Sequence, residues 1–196
     1  GRYLYFSSTT VTPIEEYAGV RYDLMRIGYD AASGAWGELE MVVSAAETGL
    51  SILQPKASPD GRFLVCTTAD HGNFPIFLAS SDLYVVDLRE GGYRRLEINS
   101  DQADSWHAWS SNSRWLVFSS KRRDGLFARP YLSYVDTTGH FHRPILLPQE
   151  DPSFYDSFAQ TVNVPVLVHG RVEISQRALA RAITSPDTIK KARLAP

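Results

Sequence analysis

Three clusters of side chains have residue types that could bind a ligand or take part in a reaction. The first is the basic run Lys121, Arg122 and Arg123. Arginine offers a planar fork of donors, so this run could clamp a carboxylate or a phosphate. The alternative interpretation is a solvated loop tip whose charge is balanced by Asp124.

The second cluster combines Asp70 and His71 with Glu15 and Glu16, which lie on a separate polar stretch of the sequence. Carboxylate oxygens and imidazole nitrogens are metal ligands. However, Asp-His before Gly72 is also an ordinary turn sequence, and adjacent residues rarely both ligate one ion. We therefore predict no metal site, and we assign Asp70 and His71, together with the basic run, to a partner-binding surface.

The third cluster is Asp104, Trp106 and His107, in a short β-rich run. Side chains alternate along a strand, so His107 faces one way and its neighbours Asp104 and Trp106 face the other. His107 is either a functional histidine or a core histidine whose ring nitrogens bond to backbone groups.

Composition and motifs exclude several classes of protein. The 196 residues carry 20 basic and 22 acidic side chains, a formal net charge of −2, and we expect no nucleic-acid partner. The single cysteine, Cys66, excludes an internal disulfide, and we interpret it as a small buried hydrophobe. The sequence has no GxSxG, HExxH or CxxCH motif, so we expect no catalytic residues and no cofactor within this chain. No apolar run, such as that at 164–168, is long enough for a transmembrane segment.

The elements that must position these clusters are repeated. Three segments share a small residue, arginine, an aromatic residue, leucine and a β-rich ending: GRYLYFSS at 1–8, GRFLVCTT at 61–68 and SRWLVFSS at 113–120. Each is followed by a polar stretch, a second β-rich run, a glycine-containing turn and a third run. Runs that are apolar on both faces predict strands covered on both sides. The alternating 93–98 run predicts a half-exposed outer strand, and the whole pattern is typical of β-propeller blades.

The turns before these segments carry a resemblance to a known family. ASPDGRFLV at 57–65 and its degenerate partner AWSSNSRWLVFSS at 108–120 resemble the Pro-Asp repeat of TolB-like β-propellers, over about residues 1–150. We therefore expect an all-β fold of about three four-stranded blades from a larger propeller of roughly six to eight blades. The chain opens inside a repeat, so we expect it to be part of a longer polypeptide. The expected divisions are blades at 1–44, 51–98 and 104–148, a closing strand segment at 151–175, and a basic helical tail at 176–196 that docks back on the body.

This architecture places the candidate residues. The long connections between second and third strands emerge on one rim, where rigid scaffolds carry recognition loops, whereas the opposite rim carries only tight turns. Innermost strands line the central channel, so Asp104, Trp106 and His107 are its candidate lining. We expect a non-catalytic scaffold that binds a protein or peptide partner, or the remaining blades of the same protein. The resemblance implies a periplasmic location. The alternative is a propeller module of a larger enzyme, either a haem-containing redox enzyme or a prolyl-oligopeptidase-like peptidase, with its catalytic groups elsewhere.

Overall fold

The computed structural model describes residues 2–10 and 13–185, and in this part of the chain all strands fall into three antiparallel sheets. Each sheet follows the chain from its inner to its outer strand, as in a propeller blade. Blade 1 contains β1 (Tyr3–Ser8), β2 (Asp23–Asp30) and β3 (Ala35–Val43). Blade 2 contains β4 (Ser51–Ala57), β5 (Phe63–Ala69), β6 (Asp82–Asp87) and β7 (Tyr93–Arg95). Blade 3 contains β8 (Asp104–Trp109), β9 (Trp115–Ser120), β10 (Arg129–Tyr134) and β11 (Ile145–Leu146).

The predicted fold class is confirmed, because the three repeated segments form β1, β5 and β9. In β5 and β9 both faces are buried, as the doubly apolar pattern predicts. Leu64 and Cys66 belong to a core cluster with Leu24 of blade 1, whereas Val65 packs in a second cluster with Leu116 of blade 3. The hydrophobic core therefore lies between successive blades, with blade 2 covered on both sides.

The tight turns explain how a degenerate repeat keeps its shape. In blade 2 the Ser58 hydroxyl donates to the Asp60 carboxylate and accepts from the amide that opens β5. In blade 3 Ser110 and Asn112 make the same pair of hydrogen bonds. Ser113 takes the positive φ, 59°, that glycine takes in the regular copy. The side-chain oxygens thus preserve the turn after Pro, Asp and Gly are replaced.

The predicted closing strand at 151–175 is not formed. The segment instead contains one helical turn, α2 (Phe154–Ser157), followed by chain without regular secondary structure. The Asp151 carboxylate accepts from the amide and hydroxyl of Ser153, and this local pairing favours the turn over a strand at that point.

The other helical elements are short. A 3₁₀ turn spans Ile14–Gly19, α1 spans Ala45–Thr48, and a second 3₁₀ turn spans Pro75–Phe77. The predicted helix in the tail is present as α3 (Gln176–Thr184), but every residue of it is exposed, so the expected docking on the body is not seen. The rest of the predicted tail, 186–196, lies outside the described residues. No helix in the described part of the chain is long and apolar enough to cross a membrane.

Candidate functional site

The long connections between second and third strands lie side by side and form one continuous surface. Arg21 Nε donates to the backbone carbonyl of Asp70 at 2.9 Å, which joins the blade 1 connection to the blade 2 connection. Lys121 Nζ lies 5.6 Å from the ring centroid of Phe77, which joins the blade 2 connection to that of blade 3. We call this surface the loop rim, and its described residues are 13–22, 70–81 and 121–128.

The loop rim presents large apolar side chains to solvent. Phe77 is 75% exposed, Leu126 69% and Phe74 58%. Pro75 and Ile76 are buried between the two phenylalanines, so the 3₁₀ turn is anchored while both rings project outward. The connection at 121–128 is shaped by the Asp124 carboxylate, which accepts hydrogen bonds from the backbone amides of Leu126 and Phe127. Aromatic and aliphatic groups held outward on rigid loops are typical of anchors for a protein partner.

Asp70 and His71 lie on this rim, at the start of the blade 2 connection. The Asp70 side chain is exposed, and its backbone carries the contacts to Arg21 and Ser80. His71 is half-buried. In the described ranges no group of three or more histidine, cysteine, aspartate or glutamate side chains could hold a metal ion. The arrangement offers hydrogen-bonding groups beside the exposed rings.

The basic run does not act as one clamp, because its three side chains point to different partners. Arg122 donates to the fully buried carboxylate of Asp104 at 2.8 Å and to the carbonyl of Ile98 at 2.8 Å. Its Nε donates to the Ser120 hydroxyl at 2.8 Å. Arg122 is therefore committed to an ion pair inside the protein. Of the run, only Lys121, beside Phe77, and Arg123, which pairs with the exposed Asp156, remain at the surface.

Two of the three residues expected to line the channel, Asp104 and His107, have no exposed surface. His107 Nε2 lies 2.8 Å from the carbonyl oxygen of Val65, so this nitrogen carries the hydrogen. Its Nδ1 lies 3.5 Å from the Thr67 hydroxyl. Burial lowers the pKa of His107 to about 3, and the ring is a neutral bridge between blades 2 and 3.

Trp106 is the partly exposed member of that group. It has a positive φ of 52° at an irregularity in the pairing of β8 with β9. Its amide donates to the Gln54 side chain at 3.3 Å, and Gln54 has the equivalent positive φ of 54° in β4. The inner strands of blades 2 and 3 therefore each contain a bulge at the equivalent position, and this hydrogen bond joins the two bulges.

Sequence reasoning missed Arg129, which is the largest fully buried side chain among the described residues. Its guanidinium donates to the carbonyls of Phe158, at 2.6 Å, and Gln160. It also lies 5.7 Å from the ring of Tyr155 and 5.3 Å from that of Phe158. Arg129 thus fastens the 154–163 segment across blade 3 next to the loop rim. The concentration of aromatic residues at 154–158 was the only signal for this contact in the sequence.

The opposite rim was expected to carry only tight turns, but it also contains a cavity. A cavity of about 370 Å³ lies between the outer turns of blades 2 and 3, and Arg62, Tyr93 and Gly139 contribute to its lining. Arg62 crosses to blade 3 and donates to the carbonyls of Thr137 at 2.7 Å and Thr138 at 3.0 Å. The arginine that recurs in each repeat therefore has a structural role here, because it connects one blade to the next.

Comparison with known proteins shows that this chain is similar to several solved structures in fold. No protein-family model matches the chain, and no curated protein matches it significantly. Among solved structures it is similar to the β-propeller domain of the Trilobed protease from Pyrococcus furiosus, with 16% identity and a TM-score of 0.43 over 76% of this chain and 41% of that chain.

Two further solved structures share this likeness. TolB from Acinetobacter baumannii has 15% identity and a TM-score of 0.48 over 75% of this chain and 31% of that chain. Kuenenia stuttgartiensis hydrazine synthase has 16% identity and a TM-score of 0.42 over 70% of this chain and 38% of that chain. The chain thus spans less than half the length of each of the three. Its three antiparallel sheets make it a partial β-propeller, similar in fold to TolB.

Proposed function

We propose that the protein is a non-catalytic propeller scaffold that binds a protein or peptide partner through its loop rim. The observation that carries this proposal is the set of exposed apolar side chains Phe74, Phe77 and Leu126 on adjoining, internally braced loops. Because the loops are braced before binding, little ordering of the backbone opposes it, and more of the burial of these side chains contributes to affinity. Lys121 and Asp70 lie among them and provide charge of both signs for orienting the partner.

The buried groups support a scaffold rather than a reaction centre. His107, whose pKa burial lowers to about 3, is neutral and enclosed between blades. Burial raises the pKa of Cys66 to about 12, so its thiol is a poor nucleophile. Asp104 is paired with Arg122. These groups hold the blades together, and none of them faces the loop rim as a reactive side chain.

Selection from a random peptide library against the purified protein tests the proposal. Peptides that bind are then titrated against the variants Phe77→Ser and Leu126→Ser. The matched control is Trp36→Ser, since Trp36 is as exposed as Phe74 but follows a tight turn on the opposite rim. We expect the Phe77 and Leu126 variants to weaken binding at least about tenfold and the control to leave it unchanged. Peptides that lose affinity only in Trp36→Ser would overturn the proposal.

We further propose that the protein works in the periplasm, a location supported by the resemblance of its repeats to those of TolB-like propellers. Fractionation of cells that express the native gene tests this location. We expect the protein to be recovered with periplasmic marker proteins. In the alternative role, as the propeller module of a larger enzyme, the same rim would hold the catalytic domain. Recovery with cytoplasmic markers would contradict the periplasmic proposal.

A further inference from the structure

The blade 3 connection of the loop rim, residues 121–128, is attached to the inner strand of its blade by a buried ion pair. The Arg122 guanidinium donates to the Asp104 carboxylate at 2.8 Å, and the aspartate side chain has no exposed surface. The same guanidinium donates to the carbonyl of Ile98 and to the hydroxyl of Ser120, both at 2.8 Å. The planar fork of this arginine therefore bonds three separate acceptors inside the protein.

The start of the connection is held in place on both sides of this pair. The guanidinium carbon lies 5.3 Å from the ring centroid of Phe118 and 4.7 Å from that of Tyr131, so two aromatic faces orient the fork. The Lys121 amide donates to the carbonyl of Ala103, the residue before Asp104, at 2.9 Å. The first two residues of the connection are therefore both bonded to the beginning of β8.

Asp104 is itself bonded to three segments of the chain. Its second carboxylate oxygen accepts from the Ser100 amide at 2.6 Å and from the Ser100 hydroxyl at 2.7 Å, in the linker between blades 2 and 3. Its backbone amide donates at 2.9 Å to the carbonyl of Ser81, the last residue of the blade 2 connection. Through Arg122 it also holds the blade 3 connection. Two neighbouring parts of the loop rim are therefore both bonded to Asp104.

Blade 2 has an apolar residue at the position that Asp104 occupies in blade 3. The strand registers pair Ile52 with Thr68 in blade 2 and Asp104 with Ser120 in blade 3. Ile52 is buried and belongs to the hydrophobic cluster between blades 1 and 2. Apolar packing therefore joins successive blades at this position of the repeat, and an ion pair is not required for that contact.

The energetics of burial also separate the pair from the stability of the propeller. Taking two charges out of water is costly, and their attraction does little more than offset that cost, so buried ion pairs are often replaceable without loss of stability. Removing only one partner, however, leaves an uncompensated buried charge and is strongly destabilising. What the fork supplies in addition is direction, because its hydrogen bonds specify one position of the attached backbone.

We propose that Asp104 and Arg122 are positioning residues of the loop rim, and that their ion pair fixes the blade 3 connection against the blade 2 connection for partner binding. This inference rests on the proposed function of the loop rim. The pair does not touch the partner, because Asp104 is enclosed and Arg122 is bonded inside the protein. It acts through Leu126 and Phe77, whose relative positions are set before binding, so that less ordering opposes the association.

Hydrogen exchange of the free protein tests the positioning without a partner. The double variant Asp104→Asn, Arg122→Met removes both charges, while asparagine keeps an acceptor for Ser100 and methionine keeps an apolar chain between the two rings. We expect the Lys121 amide to exchange at least about tenfold faster than in the wild type. The Val135 amide, which donates to a carbonyl on the opposite rim of the same blade, should keep its rate. Wild-type exchange at Lys121 in the double variant would overturn the proposal.

The matched control removes another arginine–carboxylate pair. Arg26 donates to Glu40 at 2.6 Å between two strands of blade 1. The double variant Glu40→Gln, Arg26→Met should leave exchange at Lys121 unchanged. Faster exchange of this amide in the control as well would show a general loosening of the blades and would overturn the assignment to Asp104 and Arg122.

Urea denaturation separates positioning from stabilisation. We expect the Asp104→Asn, Arg122→Met variant to unfold at nearly the same urea concentration as the wild type. Arg122→Met alone should unfold at a lower concentration, because it leaves the buried carboxylate of Asp104 without its cation. A double variant that unfolds as early as the single variant would show that the pair serves the stability of the propeller, and this would overturn the proposal.

Titration of peptides selected on the wild-type protein tests the effect on binding. We expect the Asp104→Asn, Arg122→Met variant to bind them at least about tenfold more weakly, and the Glu40→Gln, Arg26→Met control to bind them as the wild type does. Wild-type affinity in the Asp104→Asn, Arg122→Met variant would overturn the role of the pair in binding. A wild-type protein that selects no peptide would instead overturn the proposed function, because the exchange and urea results still decide whether the pair positions the connection.

Discussion

Lowering the pH should destabilise the protein through His107. Burial lowers the pKa of this histidine to about 3, whereas an unfolded histidine has a pKa of about 6.5. The folded protein therefore holds the ring neutral, and the unfolded chain binds a proton first as pH falls. The stability that depends on the neutral ring is complete above about pH 6.5 and is lost as the pH falls toward the folded-state pKa.

The expected magnitude follows from the same linkage. Between pH 7.5 and pH 5.0 the unfolded state gains most of one proton at this site while the folded state gains almost none. The free energy of unfolding should therefore fall by about 2 kcal/mol from His107 alone. Because pH 5.0 lies well above the folded-state pKa, this figure depends mainly on the unfolded value.

Urea denaturation at the two pH values measures this effect. His107→Gln keeps an N–H donor for the Val65 carbonyl but cannot take up a proton in this range. The pH-dependent loss of stability should be about 2 kcal/mol smaller in this variant than in the wild type. The control is His169→Gln, because His169 is exposed, and its loss should match the wild type. An equal loss in His107→Gln and wild type would refute the assignment of His107 as a buried neutral bridge.

Three further predictions concern the packing of the blades. Trp109→Ala should cost about 3–5 kcal/mol in urea denaturation, because the indole packs 5.8 Å from the ring of Phe141 and donates to a carbonyl of blade 2; an unchanged midpoint would contradict this. Cys66 should react with a thiol reagent at pH 8 only after denaturation, and rapid modification of the native protein would show that it is not buried. Arg129→Met should speed hydrogen exchange at the Val162 amide at least about tenfold, whereas Arg123→Met should leave it unchanged; equal protection in both variants would show that Arg129 does not fasten the segment.

The repeats made the blades predictable from the sequence. The three segments share a leucine, which is Leu4, Leu64 or Leu116. The spacing of these leucines predicted where the second strand of each blade lies. Period-two patterning then distinguished the covered strands from the half-exposed outer strand. The degenerate turn at Asn112 was also interpretable, because its side-chain oxygen replaces that of Asp60 in the same hydrogen bonds. These features depend on local chemistry that the sequence displays directly.

The contacts of the basic run and of the tail were not predictable in this way. Arg122 and Arg123 are neighbours in sequence, yet one is held by a buried aspartate of the inner strand and the other by an aspartate of α2. The closing strand expected at 151–175 was not predictable either, because the Asp151 carboxylate pairs locally with Ser153 and the chain forms the helical turn α2 there. The two ion pairs join residues that are 18 and 33 positions apart in the sequence. They depend on how the segments pack in the folded chain, which the periodicity of the sequence does not encode.

The central functional claim is that partners bind at the loop rim, and hydrogen exchange with a selected peptide bound tests it most directly. The account predicts slower exchange in residues 70–81 and 121–128 on binding. The amides of the tight turns at 58–61, 88–92 and 137–141 should exchange at the same rates with and without the peptide. Protection confined to these turns, with the loop rim unchanged, would contradict the account.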